Sequence, residues 1–516
     1  NFNYQPGDWF ILTESGPINS ITETPDNILF GTDKGIYKQN KFNKEIIFDY
    51  YNSQELISKR IHHILYDKNT DFYWVVHDLG ISYKASISKY WRDINFSELN
   101  LNSVFQIEKI GYNSEAIWIQ NNFGVISLDR FNANLIYKDN ISTIYWGSSK
   151  YNKQMKLDFN HYNFSEEWLI NNDNIFNRYS NIEYFPTVKY ENDFGETWIG
   201  TDSGLIFYGK YGWLDALFLG LPQNNITEIY LDNNNIWWFA ASKFKNNIFE
   251  NMKRSLFMQE PKIFLSSWDE DNNSWEYFYS NESINIRSTD INKIVRFKNN
   301  IYLGTMNGLL VLDVVTRDWL NISNNLYDKA IWDIAIINES IYLATARGIN
   351  EFSLLGNSLI PDSDQLFKEF INKEVYQFEV QDNILFIMSE LGLSKIDFDE
   401  KSIENLTAKR LKNFMINNNR VFINDDRIWE IINKDNIFHE KLIYNEGNDF
   451  CIEDHLLWIN LIKNVKLVNI NNSSEWVYSN KDGIYGDIIY TMDCDNNWIW
   501  FGTNNGVYFY NWRKFH

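Results

Sequence analysis

The chain has 516 residues, 17% of them aromatic, and 47 Lys plus Arg against 68 Asp plus Glu give a net charge of −21. That length exceeds one ordinary domain and points to two. The acidic balance repels phosphate backbones and anionic membrane surfaces, so nucleic acid is not an expected partner. No apolar run reaches the length of roughly eighteen residues that a spanning helix needs, so no membrane insertion is expected. Asn1-Phe2-Asn3-Tyr4 lacks the basic and apolar regions of a signal peptide. The chain therefore reads as cytoplasmic or as a mature form already trimmed.

Aromatic and β-branched residues favour strands, and the seven prolines fall outside the repeated segments, where they would remove ladder hydrogen bonds. In chain order, Trp9 to Thr13 is the first predicted strand and Ile18 to Ile21 begins the next. A unit then recurs in which an aromatic residue or leucine is followed six residues later by glycine. It runs Leu29 to Gly35, Trp74 to Gly80, Trp118 to Gly124, Trp198 to Gly204, Tyr302 to Gly308, Tyr342 to Gly348, Phe386 to Gly392 and Trp500 to Gly506. Adjacent closing glycines lie 40 to 45 residues apart. Strand-like content at that period, with no helical stripe, is what a blade of four short antiparallel strands requires, and it points to a β-propeller.

Weaker units fill the gaps: residues 141–179 around Trp168-Leu169-Ile170, Trp238 to Phe244 with Phe244 in place of glycine, and segments at Phe422-Ile423 and Trp458-Ile459. The last unit, Glu475 to Asn511, is the clearest: Trp476-Val477-Tyr478 is an outer strand, Ile488 to Met492 the innermost, Trp498 to Thr503 the second and Val507 to Tyr510 the third. Its own outer strand is missing. Trp9 to Thr13 matches Trp476 to Tyr478, and a strand donated from elsewhere would close a ring. Twelve units exceed one ring, so the expected fold is all-β with two tandem propellers of about six four-stranded blades each, at residues 1–271 and 272–516. Trp9 to Thr13 would close the sixth blade, and Trp275 to Tyr279 the C-terminal one. A division into seven and five fits the repeat phase almost as well.

Trp198-Ile199-Gly200-Thr201-Asp202-Ser203-Gly204-Leu205 resembles the two-component regulator propeller repeats of bacterial proteins, and the likeness extends over nearly the whole chain. The resemblance implies tandem propellers of the kind found in periplasmic sensors of hybrid two-component systems, which recognise glycan fragments, and in a type IX secretion accessory protein. Rings in that family commonly have seven blades. It implies a periplasmic or extracellular location with the signal peptide removed. No immunoglobulin-like, transmembrane, kinase or response module follows in this sequence, so the chain is not expected to signal by itself.

Sequence motifs for chemistry are scarce. None of the seven histidines sits in a zinc-binding spacing, and no nucleophile elbow, Walker loop or dinucleotide loop occurs. No catalytic residue, cofactor or metal is assigned. Asp232 to Asn235 and Asp493 to Asn497 look like calcium loops but lack the glycine and terminal glutamate of an EF-hand, and they read as hairpin turns. Cys451 and Cys494 lie one repeat length apart. They are either a disulfide or two small buried apolar residues, the latter favoured because equivalent positions on adjacent blades often exceed the ~7 Å Cα limit of a bridge.

In a propeller the turns between second and third strands share the usual ligand face with the loops between blades. The repeat places His77, Asp78, Asn121, Asp202 and Arg347 at those turns. After Trp238 to Phe244 an insertion, Lys245 to Lys262, carries Phe249, Met252 and Phe257 beside Lys253 and Arg254. It is either a lid or partner contact on that face or a wedge between rings. The expected function is binding without catalysis, of a glycan fragment or a protein partner. A secretion scaffold and a propeller lyase or hydrolase are the alternatives.

Overall fold

The computed structural model describes residues 8–49, 52–53, 55–137, 143–150, 159–171, 174–178, 182–241, 265–279, 291–354, 358–360, 365–434, 437–479, 482, 484 and 488–516. The insertion at 245–262, with Phe249, Met252 and Phe257, lies outside them, as does Phe244. Among the described residues the chain forms twelve antiparallel-rich sheets, nine of them four-stranded. The all-β reading stands. The chain divides into two compact units: one of Asn1–Leu12, Gln223–Ser267 and Phe278–His516, the other of Thr13–Pro222 and Trp268–Tyr277.

In most sheets the second strand carries the repeat's aromatic residue, and that residue faces the third strand. Trp74 lies opposite Tyr83, ring centroids 4.8 Å apart and nearly parallel, and Trp198 lies opposite Tyr208 at 5.0 Å. Such cross-strand aromatic pairs stabilise the sheet and thicken the layer between neighbouring sheets. The glycine of the Gly-Thr pair has a different cause. A Cβ on Gly31 would lie 2.6 Å from Ile61 Cγ2, and one on Gly200 would lie 2.6 Å from Ile18 Cβ, so glycine admits the first inner-strand isoleucine of the adjacent sheet.

In the longer unit the inner strands pack in cyclic order: Glu228–Leu231, Ile291–Phe297, Ile331–Ile337, Val375–Gln381, Asn413–Asn417, Phe450–Glu453, Ile489–Cys494, then Glu228–Leu231 again. Side chains on one inner strand accept backbone N–H groups of the next. Asp333 accepts from Phe378 at 2.8 Å and Gln377 from Phe414 at 3.3 Å. The unit of residues 13–222 closes similarly, with Pro186–Glu191 packing beside Ile18–Glu23. There Tyr145–Trp146 pairs with the inner strand Ile107–Tyr112, and Ser149–Lys150 pairs with Pro186–Glu191. Between them Ser148 Oγ accepts from Ile21 N at 2.7 Å. This stretch takes the place of an inner strand in the weak unit, whose described remainder includes the three-stranded sheet Trp168–Asn171, Asn174–Asn177 and Glu183–Tyr184.

Strand pairing corrects the expected ring closures. Trp9–Leu12 does not join a sixth sheet but pairs with the C-terminal strand Gly506–Asn511, Trp9 opposite Tyr510 and Leu12 opposite Val507. The Trp9 ring stacks on Tyr510 at 4.4 Å, and Asn511 N donates to Asp8 O at 2.9 Å. Ser274–Phe278 is instead the outer strand of the sheet begun by Glu228–Leu231, Ile236–Ala240 and Leu265–Asp269. A boundary at residue 271 would therefore cut a sheet between its third and fourth strands. Among the described residues, five sheets are built from residues 18–218 and seven from residues 228–511 together with Trp9–Leu12, where six and six were expected.

Cys451 and Cys494 form a disulfide with Cα atoms 6.1 Å apart. The reading as two unlinked apolar residues fails because both lie on adjacent inner strands, where neighbouring sheets approach most closely.

Candidate functional site

The threonine that follows glycine in the repeat is fully buried, and its hydroxyl closes the turn. Thr32 Oγ1 donates to Gly35 O at 2.9 Å and accepts from Lys34 N at 3.1 Å; Thr305, Thr345 and Thr503 do the same. His77 and Asn121 occupy this threonine's position in their own sheets. His77 Nδ1 accepts from Leu79 N at 3.2 Å, and Asn121 Oδ1 accepts from Phe123 N at 2.7 Å. Since Nδ1 accepts, the neutral ring carries its proton on Nε2 and donates to Ser82 Oγ at 2.7 Å, and Ser82 in turn donates to Asp93 at 2.5 Å. Burial holds the His77 imidazole below its ordinary value. His77 and Asn121 are thus buried turn caps, and the residues that follow them on the same turns are the exposed ones.

Those neighbours form one end of the 13–222 unit, where second strands turn into third strands and outer strands return to inner ones. Asp78 is exposed and takes a 2.6 Å hydrogen bond from the buried His62, whose ring meets Phe105 edge-on at 6.0 Å. Asp33 accepts from Asn19 Nδ2 at 2.7 Å and pairs with Arg60 at 3.3 Å. Asp202 accepts from Phe185 N at 3.0 Å, which fixes the loop preceding its own sheet. On the same turns and loops Phe105 and Phe123 are 79% and 82% exposed, with Leu79 and Phe185 about half exposed. Sequence reasoning missed Phe105, Phe185 and Arg60, which lie between the long strands where no repeat signal runs, and His62, the second residue of the inner strand Ile61–Asp67.

In the longer unit Arg347 is exposed at its turn and pairs with Asp328 at 3.6 Å. Its axis is lined by a second constellation. Lys293 lies 3.7 Å from Asp333, and Glu228, Glu379 and Asp493 from other inner strands act electrostatically on the same lysine. Asp333 pushes the Lys293 ammonium up, whereas burial pushes the Glu379 carboxyl up to about 7. Asp232 sits at a hairpin turn, where its carboxylate accepts from Asn234 N, Ile236 N, Trp238 Nε1 and Arg296 Nη1. Those four donors occupy the oxygens a calcium loop would offer. Among the described residues, no cluster of His, Cys, Asp or Glu has metal-binding geometry, and no helix is long and apolar enough to cross a membrane.

No family model matches the chain, and no curated protein matches it. Among solved structures it is similar to PorZ, a bacterial surface component of the type IX secretion system of Porphyromonas gingivalis, at 11% identity and a TM-score of 0.47, over 98% of this chain and 87% of that one. It is also similar to the extracellular domain of the putative hybrid two component system BT4673 from B. thetaiotaomicron, at 16% identity and a TM-score of 0.32, over 98% of this chain and 77% of that one. The β-propeller domain of Cps50 from Myceliophteria thermophila is similar at 9% identity and a TM-score of 0.39, over 56% of this chain and 97% of that one. At such identities the likeness concerns fold, and it carries no function across.

Proposed function

We propose that the chain is a sensor-like binding protein that recognises a glycan fragment or a protein partner without performing chemistry. The observation that supports this is the exposure of Phe105 and Phe123 beside the fixed Asp33–Arg60 and His62–Asp78 pairs at one end of the 13–222 unit. Aromatic faces stack on the apolar faces of sugars or on a partner's side chains, while carboxylates and amides satisfy hydroxyls. Asp78 and Asp202 would orient the ligand. The Cys451–Cys494 disulfide fits a periplasmic or extracellular location, since such bonds persist in oxidising compartments. The test is a glycan array probed with the full chain and with Phe105→Ala/Phe123→Ala, together with affinity capture of partners from the native envelope. Retained binding by the double variant, or none by the unaltered chain, would refute the reading.

A further inference from the structure

A pocket of about 510 Å³ opens in the longer unit between the outer strand Ile437–Tyr444 of one sheet and the turns of the next. Asn418, Arg420, Lys441, Asp454, His455 and Asn471 contribute its polar lining. Arg420 is held from three sides: Nε donates to Glu430 at 2.6 Å, Nη1 donates to Asp454 O at 3.4 Å, and the guanidinium lies 4.7 Å over the Phe422 ring. Glu430 lies opposite Lys441 in the sheet, which sets the ammonium on the side of the Arg420 guanidinium. The Asp454 carboxylate is already paired with Arg513 at 3.3 Å. By contrast, the Lys441 ammonium, the His455 ring and the side-chain amides of Asn418 and Asn471 have no side-chain hydrogen-bond or ion-pair partner among the described residues.

Two features of this arrangement select a ligand. Arg420, Lys441 and Arg513 outnumber Glu430 and Asp454, so a locally cationic recess stands in a chain of net charge −21. The solvent-facing amides and imidazole offer neutral donors and acceptors around that charge, and the volume suits a molecule of one or two sugar rings. We infer that this pocket binds a hydroxylated organic anion, a sugar bearing a carboxylate or a phosphate. Lys441 supplies the point charge, Arg420 the fixed guanidinium, and the flanking amides and His455 hydrogen-bond the hydroxyls. The site is independent of the surface proposed for the 13–222 unit.

Titration calorimetry on the full chain with glucuronate, glucose 6-phosphate and glucose tests the inference. At least one of the two anions is expected to bind with Kd on the order of 1 mM, and glucose at least about tenfold more weakly. The anion that binds more tightly identifies the charged group preferred. Added sodium chloride should weaken the binding. Lys441 is exposed, so Lys441→Glu should keep the melting profile while weakening anion binding about tenfold or more. Asn471→Asp, on an exposed turn of the opposite wall, should weaken it in the same direction and keeps the test decisive if Lys441→Glu unfolds. The inference is overturned if neither anion binds, if glucose binds as tightly, or if a folded variant keeps its affinity.

Discussion

Replacing Trp9 by alanine tests how the longer ring closes. The Trp9 side chain is half-buried, stacks on Tyr510 at 4.4 Å and meets Tyr478 at 6.4 Å. Removing a fully buried tryptophan costs about 3–5 kcal/mol, so half burial gives roughly 2, and the lost stacking adds about 0.5–1. A total of about 2–3 kcal/mol should fall on the sheet that Trp9–Leu12 completes. The assay is hydrogen exchange read by mass spectrometry. Peptides covering Gly506–Asn511, whose residues pair with Trp9–Leu12, should exchange about 30- to 150-fold faster by local opening. Peptides covering Ile18–Glu23 should keep their protection. Unchanged exchange at Gly506–Asn511, with loosening at Trp213–Phe218 instead, would show that the N-terminal strand belongs to the shorter unit and that the topology argued here is wrong.

Other substitutions probe local causes. Gly204 has φ +78° and a Cβ there would strike Ser15 Oγ, so Gly204→Val should destabilise the 13–222 unit by about 1–3 kcal/mol in chemical denaturation; an unchanged midpoint would contradict the turn geometry. The disulfide spans a sequence separation of 43, and the chain-entropy relation gives about 4 kcal/mol as an upper value for its loss. Denaturation of Cys451→Ser/Cys494→Ser should show a large part of that, and a midpoint equal to the native one would remove the bridge as a stabiliser. The carboxyl of Glu379 is raised to about 7 from 4.5. Groups raised in the folded state stabilise it below their unfolded values and cease to do so as pH rises through the folded ones. The melting temperature of the longer unit should therefore fall between about pH 5 and pH 8, and Glu379→Gln should flatten the curve; a native curve already flat over that window would count against the channel cluster.

The repeat made the sheets legible because each sheet is specified locally: an aromatic residue for the cross-strand pair, a glycine where the next sheet approaches, a turn glycine at positive φ. Ring closure was not legible. Trp9 to Thr13 and Trp275 to Tyr279 carry the same outer-strand pattern as Trp476 to Tyr478, and nothing in that pattern states which distant edge each completes. The exposed surface was hidden for a related reason. The repeat places His77 and Asn121 at the turns of the expected ligand face, yet each is buried and takes the repeat threonine's part by accepting the same backbone N–H. The exposed Phe105 and Phe185 sit in loops of irregular length, where a periodic reading has no register to follow.

Because the N-terminal strand finishes the C-terminal sheet, the 13–222 unit is a guest spliced into a host after the host's first strand. Its two ends meet: Leu221 N donates to Thr13 O at 3.2 Å, and Glu14 bridges to Gly220. A module whose entry and exit lie side by side can be excised or exchanged without stretching the chain that remains. Joining Leu12 to Gln223 through a short flexible link should leave a host that closes by itself, and other propellers with adjacent ends could be grafted at the same junction.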